Sequence, residues 1–146
     1  MKKFLFTIMA GLLFVIITTG MLLRISGKVT DVVVEENING DYLYKPGQKG
    51  KWIRGSNAEI ISAFNINSTG WNSAKDYHFD HEKKYIALIG DSYIEGFHVP
   101  TDSSIGRKLE KILPEYSVHE FGKSGANAKD YAAFFHEYCN QGYEKI

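Results

Sequence analysis

The chain has 146 residues, with 17 Lys and Arg against 17 Asp and Glu, 44% hydrophobic residues and one cysteine. This length fits one modest domain. The balanced charge argues against nucleic acid as a partner, because phosphate binding needs a clustered cationic surface. The single cysteine, Cys139, excludes an intramolecular disulfide and is expected to be a buried structural thiol. The sequence has no Cys/His cluster at ligand spacing, so neither a metal site nor a cofactor is expected.

The first 24 residues differ in character from the rest of the chain. An uncharged run, residues 4–23 (FLFTIMAGLLFVIITTGMLL), lies between Lys3 and Arg24. At about 1.5 Å rise per residue, a helix of this length spans the roughly 30 Å hydrocarbon core of a bilayer. A cleaved signal peptide is the alternative, but its apolar core is usually about 7 to 15 residues long and is followed by a small-x-small site. No convincing site of this kind precedes Ser26, so we predict a signal anchor over residues 1–24 that contacts the membrane through residues 4–23.

The flanking charges predict the orientation of this segment. Lys2 and Lys3 precede it, which favours a cytoplasmic N-terminus, although Arg24 and Lys28 on the far side weaken the bias. We therefore expect a single-pass, membrane-anchored protein whose folded part is extracytoplasmic, in the periplasm or at the cell surface. The folded part would be secreted if the segment were cleaved. The sequence does not indicate an oligomeric state.

Residues 25–81 are predicted to form a β-rich extension. Short β-branched or aromatic runs at 32–34, 42–44, 51–54 and 59–64 are separated by turn residues at 39–41, 46–47, 55–57 and 67–70. Runs of this kind predict hairpins. The charged residues 76–84 (DYHFDHEKK) then suit a surface connection into the next unit.

Residues 82–146 are predicted to form an α/β unit that begins with a buried strand. The apolar residues 85–89 run into Gly90-Asp91-Ser92, as is typical of a central parallel strand covered on both faces. Residues 116–121 predict a second strand, followed by a loop over residues 122–125.

Each predicted strand is followed by a predicted amphipathic helix. Thr101-Asp102 can cap the first helix, which Pro114 ends, and Asn127 to Asp130 has the spacing of a capping box before the second. The apolar stripes are Ile105, Leu109, Ile112 and Leu113 in the first helix, and Tyr131, Phe134, Phe135 and Tyr138 in the second. We expect both helices to pack on the sheet through these stripes.

The order strand, helix, strand, helix predicts a right-handed parallel α/β sheet. Ligands of such sheets bind at the carboxyl ends of the strands. Ser92 and Gly125 both lie directly after predicted strands. They are therefore expected at the same edge of the sheet.

Three segments resemble conserved blocks of one enzyme family. Residues 86–96 (IALIGDSYIEG) resemble the first block of the SGNH, or GDSL, hydrolases, and residues 118–125 (VHEFGKSG) resemble the second. Residues 64–71 (FNINSTGW) are similar to a segment that often precedes the hydrolase core in membrane-anchored members. The resemblance covers residues from about Tyr42 onward and implies a three-layer SGNH, flavodoxin-like, α/β fold.

The resemblance also implies site residues. Ser92 matches the nucleophile, and the backbone N–H groups of Ser92 and Gly125 match oxyanion-hole donors, while Gly90 and Asp91 would shape the turn. A serine hydroxyl needs a base to remove its proton, and the resulting oxyanion needs N–H donors about 2.7 to 3.1 Å away. Glycine at position 125 would let the loop approach without a Cβ clash.

Two other blocks of the family are not found in this sequence. They are G-x-N-D, whose Asn is a further oxyanion donor, and D-x-x-H, which carries the base. Asn127 in Gly125-Ala126-Asn127-Ala128 is better explained as a helix cap. None of the five histidines follows an Asp by three residues; His98 is the nearest of them to Ser92. We therefore expect an incomplete SGNH unit, the N-terminal portion of a longer hydrolase.

The leading functional expectation follows from this resemblance. It is a serine esterase, acyl hydrolase or O-acyltransferase that forms an acyl-enzyme on Ser92 and acts on an acylated small molecule or polysaccharide, such as cell-envelope carbohydrate. The alternative is a catalytically inactive, truncated relative with an anchoring or carbohydrate-binding role. A nucleotide-binding domain is disfavoured because Gly90-Asp91-Ser92 fits neither G-x-G-x-x-G nor a P-loop.

Overall fold

A computed structural model of the chain describes residues 2–25, 32–36, 42–55, 57–79, 82–139 and 143. The turn predicted at residues 39–41 and His81 lie outside the described residues. The helices are α1 (Lys2–Ile25), α2 (Ser92–Glu95), α3 (Ile105–Ile112) and α4 (Ala128–Tyr138), with a 3₁₀ turn at Thr101–Ser103. The strands are β1 (Val34–Glu36), β2 (Tyr42–Tyr44), β3 (Lys49–Arg54), β4 (Ile60–Asn65), β5 (Lys84–Gly90) and β6 (Tyr116–Gly122).

Helix α1 contains the predicted apolar segment, residues 4–23, and extends two residues beyond it at each end. Its span Lys2–Leu23 has a mean hydropathy of 2.3, and none of the apolar window is covered by the rest of the described chain. A helix of 24 residues is about 36 Å long at 1.5 Å per residue. The helix is therefore long and apolar enough to cross a membrane.

The β-rich extension contains two antiparallel hairpins, as predicted. Strand β1 pairs with β2, and β3 pairs with β4 over six residues. Side chains of β4 alternate, with Ser62 and Phe64 buried and Ile61 and Ala63 exposed, because successive strand residues face opposite sides. The buried face packs Phe64 against Phe97, which follows α2. This hairpin therefore contacts the turn that follows α2, the helix that begins at Ser92.

Strands β5 and β6 form a parallel pair in register from Lys84–Tyr116 to Gly90–Gly122. The mixed α/β class is confirmed. The prediction that β5 is a central strand covered on both faces is wrong for the described residues, where β5 pairs with β6 alone. Residues 86–89 of β5 are consequently half-buried, whereas residues 117–122 of β6 are buried.

Helix α3 differs from its prediction in both its cap and its packing face. Ser104 is the cap, since its hydroxyl accepts the Arg107 N–H, and Thr101–Ser103 form the 3₁₀ turn instead. Ile105 and Ile112 of the apolar stripe are 49% and 73% exposed. The face toward β6 is polar because that strand's backbone groups need partners: Glu110 accepts the Val118 N–H at 2.7 Å, and Arg107 donates to the Val118 carbonyl.

Helix α4 begins as predicted, with reciprocal capping hydrogen bonds between Asn127 and Asp130. Its predicted apolar stripe is only partly buried, because Phe134 lies in the core while Phe135 is 42% exposed. Cys139 follows the helix and is buried, as predicted, and burial raises the pKa of its thiol to about 11.

The extension and the α/β unit share one core. Trp71 packs edge-on against the rings of Phe121 and Phe134 at centroid distances of 5.3 and 5.1 Å, and Leu43 belongs to the same cluster. Two of these side chains come from the extension and two from the α/β unit. Folding of the one part therefore stabilises the other.

The connection between these parts is not confined to the surface, contrary to the prediction for residues 76–84. The Tyr77 ring stacks on His119 with centroids 4.3 Å apart. Its hydroxyl bonds both the N–H and the carbonyl of Glu120 at 2.8 Å. Because most residues of the segment are polar, the sequence did not indicate that Tyr77 packs against His119.

Candidate active site

Ser92 lies on the turn where β5 runs into α2. Asp91 caps the short helix by accepting the Tyr93 N–H at 3.0 Å, which agrees with the turn-holding role expected for it. The helix ends at Gly96, whose N–H donates to the Ser92 carbonyl at 3.1 Å. Among the described residues, neither the Ser92 hydroxyl nor its N–H has a hydrogen-bond partner. Both groups remain available to a ligand.

Two glycines allow α2 to lie directly on the strand ends. A Cβ at Gly90 would lie 2.5 Å from Cγ1 of Ile94, and one at Gly122 would lie 2.1 Å from the Glu95 nitrogen. Real Cβ atoms do not approach other atoms so closely. The sequence predicted that Gly90 would shape the turn but not its close packing with Ile94, and Gly122 was identified only as part of the second block.

Gly125 occupies a tight turn beside this helix. The Ala126 N–H donates to the Lys123 carbonyl at 3.1 Å, and Gly125 has φ +81°, a left-handed conformation that favours glycine. A Cβ at Gly125 would meet nothing within 4 Å, so close approach is not the reason for glycine here. The Gly125 N–H has no partner among the described residues.

The two candidate oxyanion donors are joined through Glu95. This side chain is 3% exposed and accepts the Ser124 N–H at 2.9 Å, the Ser124 hydroxyl, and the Tyr44 hydroxyl at 2.5 Å. The Lys123 N–H also donates to the Gly90 carbonyl at 3.2 Å. The turn that contains Gly125 is therefore held against the helix that begins at Ser92.

Sequence reasoning did not assign this role to Glu95. The clue in the sequence was the position of Glu95, three residues after Ser92, in a segment that the second block must approach. Its partners Tyr44 and Ser124 come from distant parts of the chain. Local patterns therefore could not identify them.

Ser92 and Gly125 line separate cavities. Ser92 lies beside a cavity of about 560 Å³ whose apolar lining comes from Tyr93, Val99 and Ile105. Gly125 lines a second cavity of about 210 Å³. Tyr93 is 81% exposed, so the larger cavity has an apolar side chain at its rim. An acyl group next to Ser92 would find apolar contacts there.

The histidines differ in their relation to Ser92. His98 lines the same cavity, and its ring lies 6.5 Å from that of Trp52. His119 is buried in β6, where its Nδ1 is 2.7 Å from the Tyr143 hydroxyl. Burial lowers the pKa of His119 to about 4. Of the described histidines, His98 is the one that lines the cavity beside Ser92.

Among the described residues, no group of three or more His, Cys, Asp or Glu side chains is arranged to hold a metal ion.

Comparison with known proteins adds no relative. No protein-family model, curated protein or solved structure matches the chain. The turn at Ser92, the turn at Gly125 and the sequence blocks that contain them are the features that indicate a function.

Proposed function

We propose that the protein is an SGNH-type serine esterase or O-acyltransferase anchored to a membrane by α1. One observation carries the proposal: the cap by Asp91 leaves the Ser92 hydroxyl and N–H unpartnered beside a 560 Å³ cavity. In this proposal β5 and β6 are two strands of the three-layer SGNH sheet. Their parallel pairing and the placement of both turns at the same strand ends support it.

The proposed reaction begins with attack of Ser92 Oγ on the carbonyl carbon of an ester. The hydroxyl proton passes to a base, for which His98 is the candidate in this chain, and the carbonyl π pair moves onto oxygen. The Ser92 and Gly125 N–H groups stabilise that oxyanion. Collapse expels the alkoxide, which takes the proton, and water or a second hydroxyl then cleaves the acyl-enzyme. His98→Gln tests the assignment through the rate of reaction at Ser92.

The proposed substrate is the acyl ester of an envelope carbohydrate or related small molecule. The apolar run of α1, with Lys2 and Lys3 at its N-terminal end, supports a cytoplasmic N-terminus and a folded part on the other side of the membrane. The cavity at Ser92 combines apolar Val99 and Ile105 with polar Ser103. Such a mixed lining suits an acyl group joined to a polar alcohol.

A fluorophosphonate ester tests this proposal, because it phosphonylates a serine only when that serine is activated. We expect the full-length wild-type protein in detergent to be labelled, and Ser92→Ala to remain unlabelled. Ser68→Ala, at an exposed serine of the turn after β4, is the control and should label like the wild type. An unlabelled wild type would refute the esterase and favour the catalytically inactive alternative with an anchoring or carbohydrate-binding role.

A further inference from the structure

We propose that Glu95 is a positioning residue that aims the Gly125 N–H at the oxyanion formed on Ser92. The inference rests on the proposed function and assigns a role within the same site. It is based on the contacts of the buried Glu95 carboxylate with the turn at residues 123–126. It also gives the β-rich extension a role in positioning the proposed oxyanion donor.

The two central amides of the turn, those of Ser124 and Gly125, differ in their hydrogen bonding. Ser124 donates both its N–H and its hydroxyl to Glu95, so its own amide cannot serve a substrate. The hydrogen bond from the Ala126 N–H to the Lys123 carbonyl closes the turn. The next amide in sequence, that of Gly125, is left without a partner among the described residues. Fixing Ser124 therefore fixes the direction of the Gly125 N–H.

The hydrogen bonds at position 95 are suited to a carboxylate. Glu95 accepts three hydrogen bonds, from Tyr44 Oη, Ser124 N and Ser124 Oγ. An ionised carboxylate is acceptor-only and can satisfy all three donors. A glutamine of the same shape has one acceptor oxygen and an NH₂ group that can only donate, so at least one of these donors would lose its partner.

Two hydrogen bonds to Glu95 link the extension to the site. Tyr44 of β2 donates to Glu95 at 2.5 Å, and Asn72 Nδ2 donates to the Glu95 carbonyl at 2.8 Å. Asn72 is itself held by the Asn65 N–H, which donates to its Oδ1 at 3.2 Å. Residues of the extension thus form hydrogen bonds with Glu95, and Glu95 in turn accepts hydrogen bonds from Ser124 in the turn that contains Gly125.

The chain provides a matched control in Glu120. That carboxylate is also buried and also accepts one backbone N–H and one serine hydroxyl, from Gly106 at 2.7 Å and Ser104 at 2.8 Å. Its partners lie at the start of α3 and do not belong to the turns of Ser92 or Gly125. Glu120→Gln therefore imposes a similar loss of buried hydrogen bonds elsewhere in the fold.

The experiment measures saturation kinetics of fluorophosphonate labelling on full-length wild type, Glu95→Gln and Glu120→Gln. We expect Glu95→Gln to lower the maximal inactivation rate on the order of 10- to 100-fold, because removing one oxyanion donor costs on the order of 10²- to 10³-fold. The inhibitor concentration at half-maximal rate should change by less than about twofold, since the oxyanion forms only during reaction. Tyr44→Phe, which removes one donor and keeps the carboxylate, should give a smaller loss in the same direction.

Amide hydrogen exchange on the same proteins provides a second measurement that does not depend on reaction. Exchange at Ser124 should accelerate in Glu95→Gln and not in Glu120→Gln. Equal labelling rates in Glu95→Gln and wild type, or equal losses in Glu95→Gln and Glu120→Gln, would overturn the inference. If the wild type is not labelled, the esterase proposal fails. Unchanged Ser124 exchange in Glu95→Gln would then overturn the positioning role, whereas faster exchange would support Glu95 as the residue that holds the turn.

Discussion

Asp91 and Gly122 act on the same four-residue helix from opposite sides. Asp91 accepts the Tyr93 N–H and so begins α2, while Gly122 provides space for the backbone of Ile94 and Glu95 above the end of β6. A helix this short has no cooperative stability of its own. Its position, and therefore that of Ser92, depends on these two contacts.

Gly122→Ala tests this dependence. The new Cβ would lie 2.1 Å from the Glu95 nitrogen, which is backbone and cannot rotate away. We expect a loss of roughly 1 to 3 kcal/mol in the free energy of unfolding, as for other overpacked sites, together with slower labelling of Ser92. Denaturant titration measures the first effect and fluorophosphonate labelling the second.

Gly47→Ala is the matched control for that substitution. Gly47 has φ +77° but nothing within 4 Å of its Cβ position, so the substitution carries only the backbone penalty of a left-handed residue, roughly 1 to 2 kcal/mol. Labelling should stay at the wild-type rate. A Gly122→Ala protein that reacted like Gly47→Ala would show that close packing under α2 does not position Ser92.

At the scale of elements, one edge of β6 is bonded by side chains. Tyr77 takes both backbone groups of Glu120, and Glu110 and Arg107 take those of Val118. These contacts satisfy buried groups that another strand would otherwise pair. They also explain why α3 turns a polar face toward β6 and leaves Ile112 exposed.

Tyr77→Phe removes the hydroxyl and leaves the ring in place. The N–H and carbonyl of Glu120 would both lose their partner in a buried setting, and an unsatisfied buried polar group costs about 1 to 3 kcal/mol. We expect a loss of that order in urea denaturation. Tyr42→Phe is the control, since the Tyr42 side chain is exposed and its hydroxyl makes a long 3.4 Å contact with Glu36. Equal stability of both variants would contradict the role assigned to Tyr77.

At the scale of the whole molecule, sequence patterns predicted the elements better than their assembly. The hairpins, β5, β6 and the cap of α4 follow from local signals such as Asn127 with Asp130. The packing face of α3 and the insertion of Tyr77 depend on contacts between residues far apart in sequence. For the site, the turns of Ser92 and Gly125 were predictable from their motifs, whereas the carboxylate that joins them was not.

The stability of the molecule should depend on pH through His119. Burial, with smaller contributions from Lys75 and Arg107, lowers the pKa of this imidazole from 6.5 to about 4. Between these values the unfolded chain binds a proton that the folded protein does not, so stability is retained above pH 6.5 and falls as the pH decreases toward 4. Denaturant midpoints measured from pH 7 to pH 5 should show this decrease.

His119→Phe should reduce that pH dependence, although it also removes the hydrogen bond with Tyr143. The comparison is therefore between slopes and not between absolute stabilities. His136→Phe, at an exposed histidine of α4, should keep the wild-type slope. Identical slopes in the wild type and His119→Phe would show that His119 is not the group responsible.

The side chains bonded to one edge of β6 determine on which side the small parallel sheet can be extended by another strand. Tyr77, Arg107 and Glu110 already occupy backbone groups to which a strand on that side would bind. Strand β5 pairs with β6 alone among the described residues, so its opposite edge is where a further strand would join. Any such strand would adjoin β5, the strand that leads into Ser92, so the sheet would grow beside the turn that holds this serine.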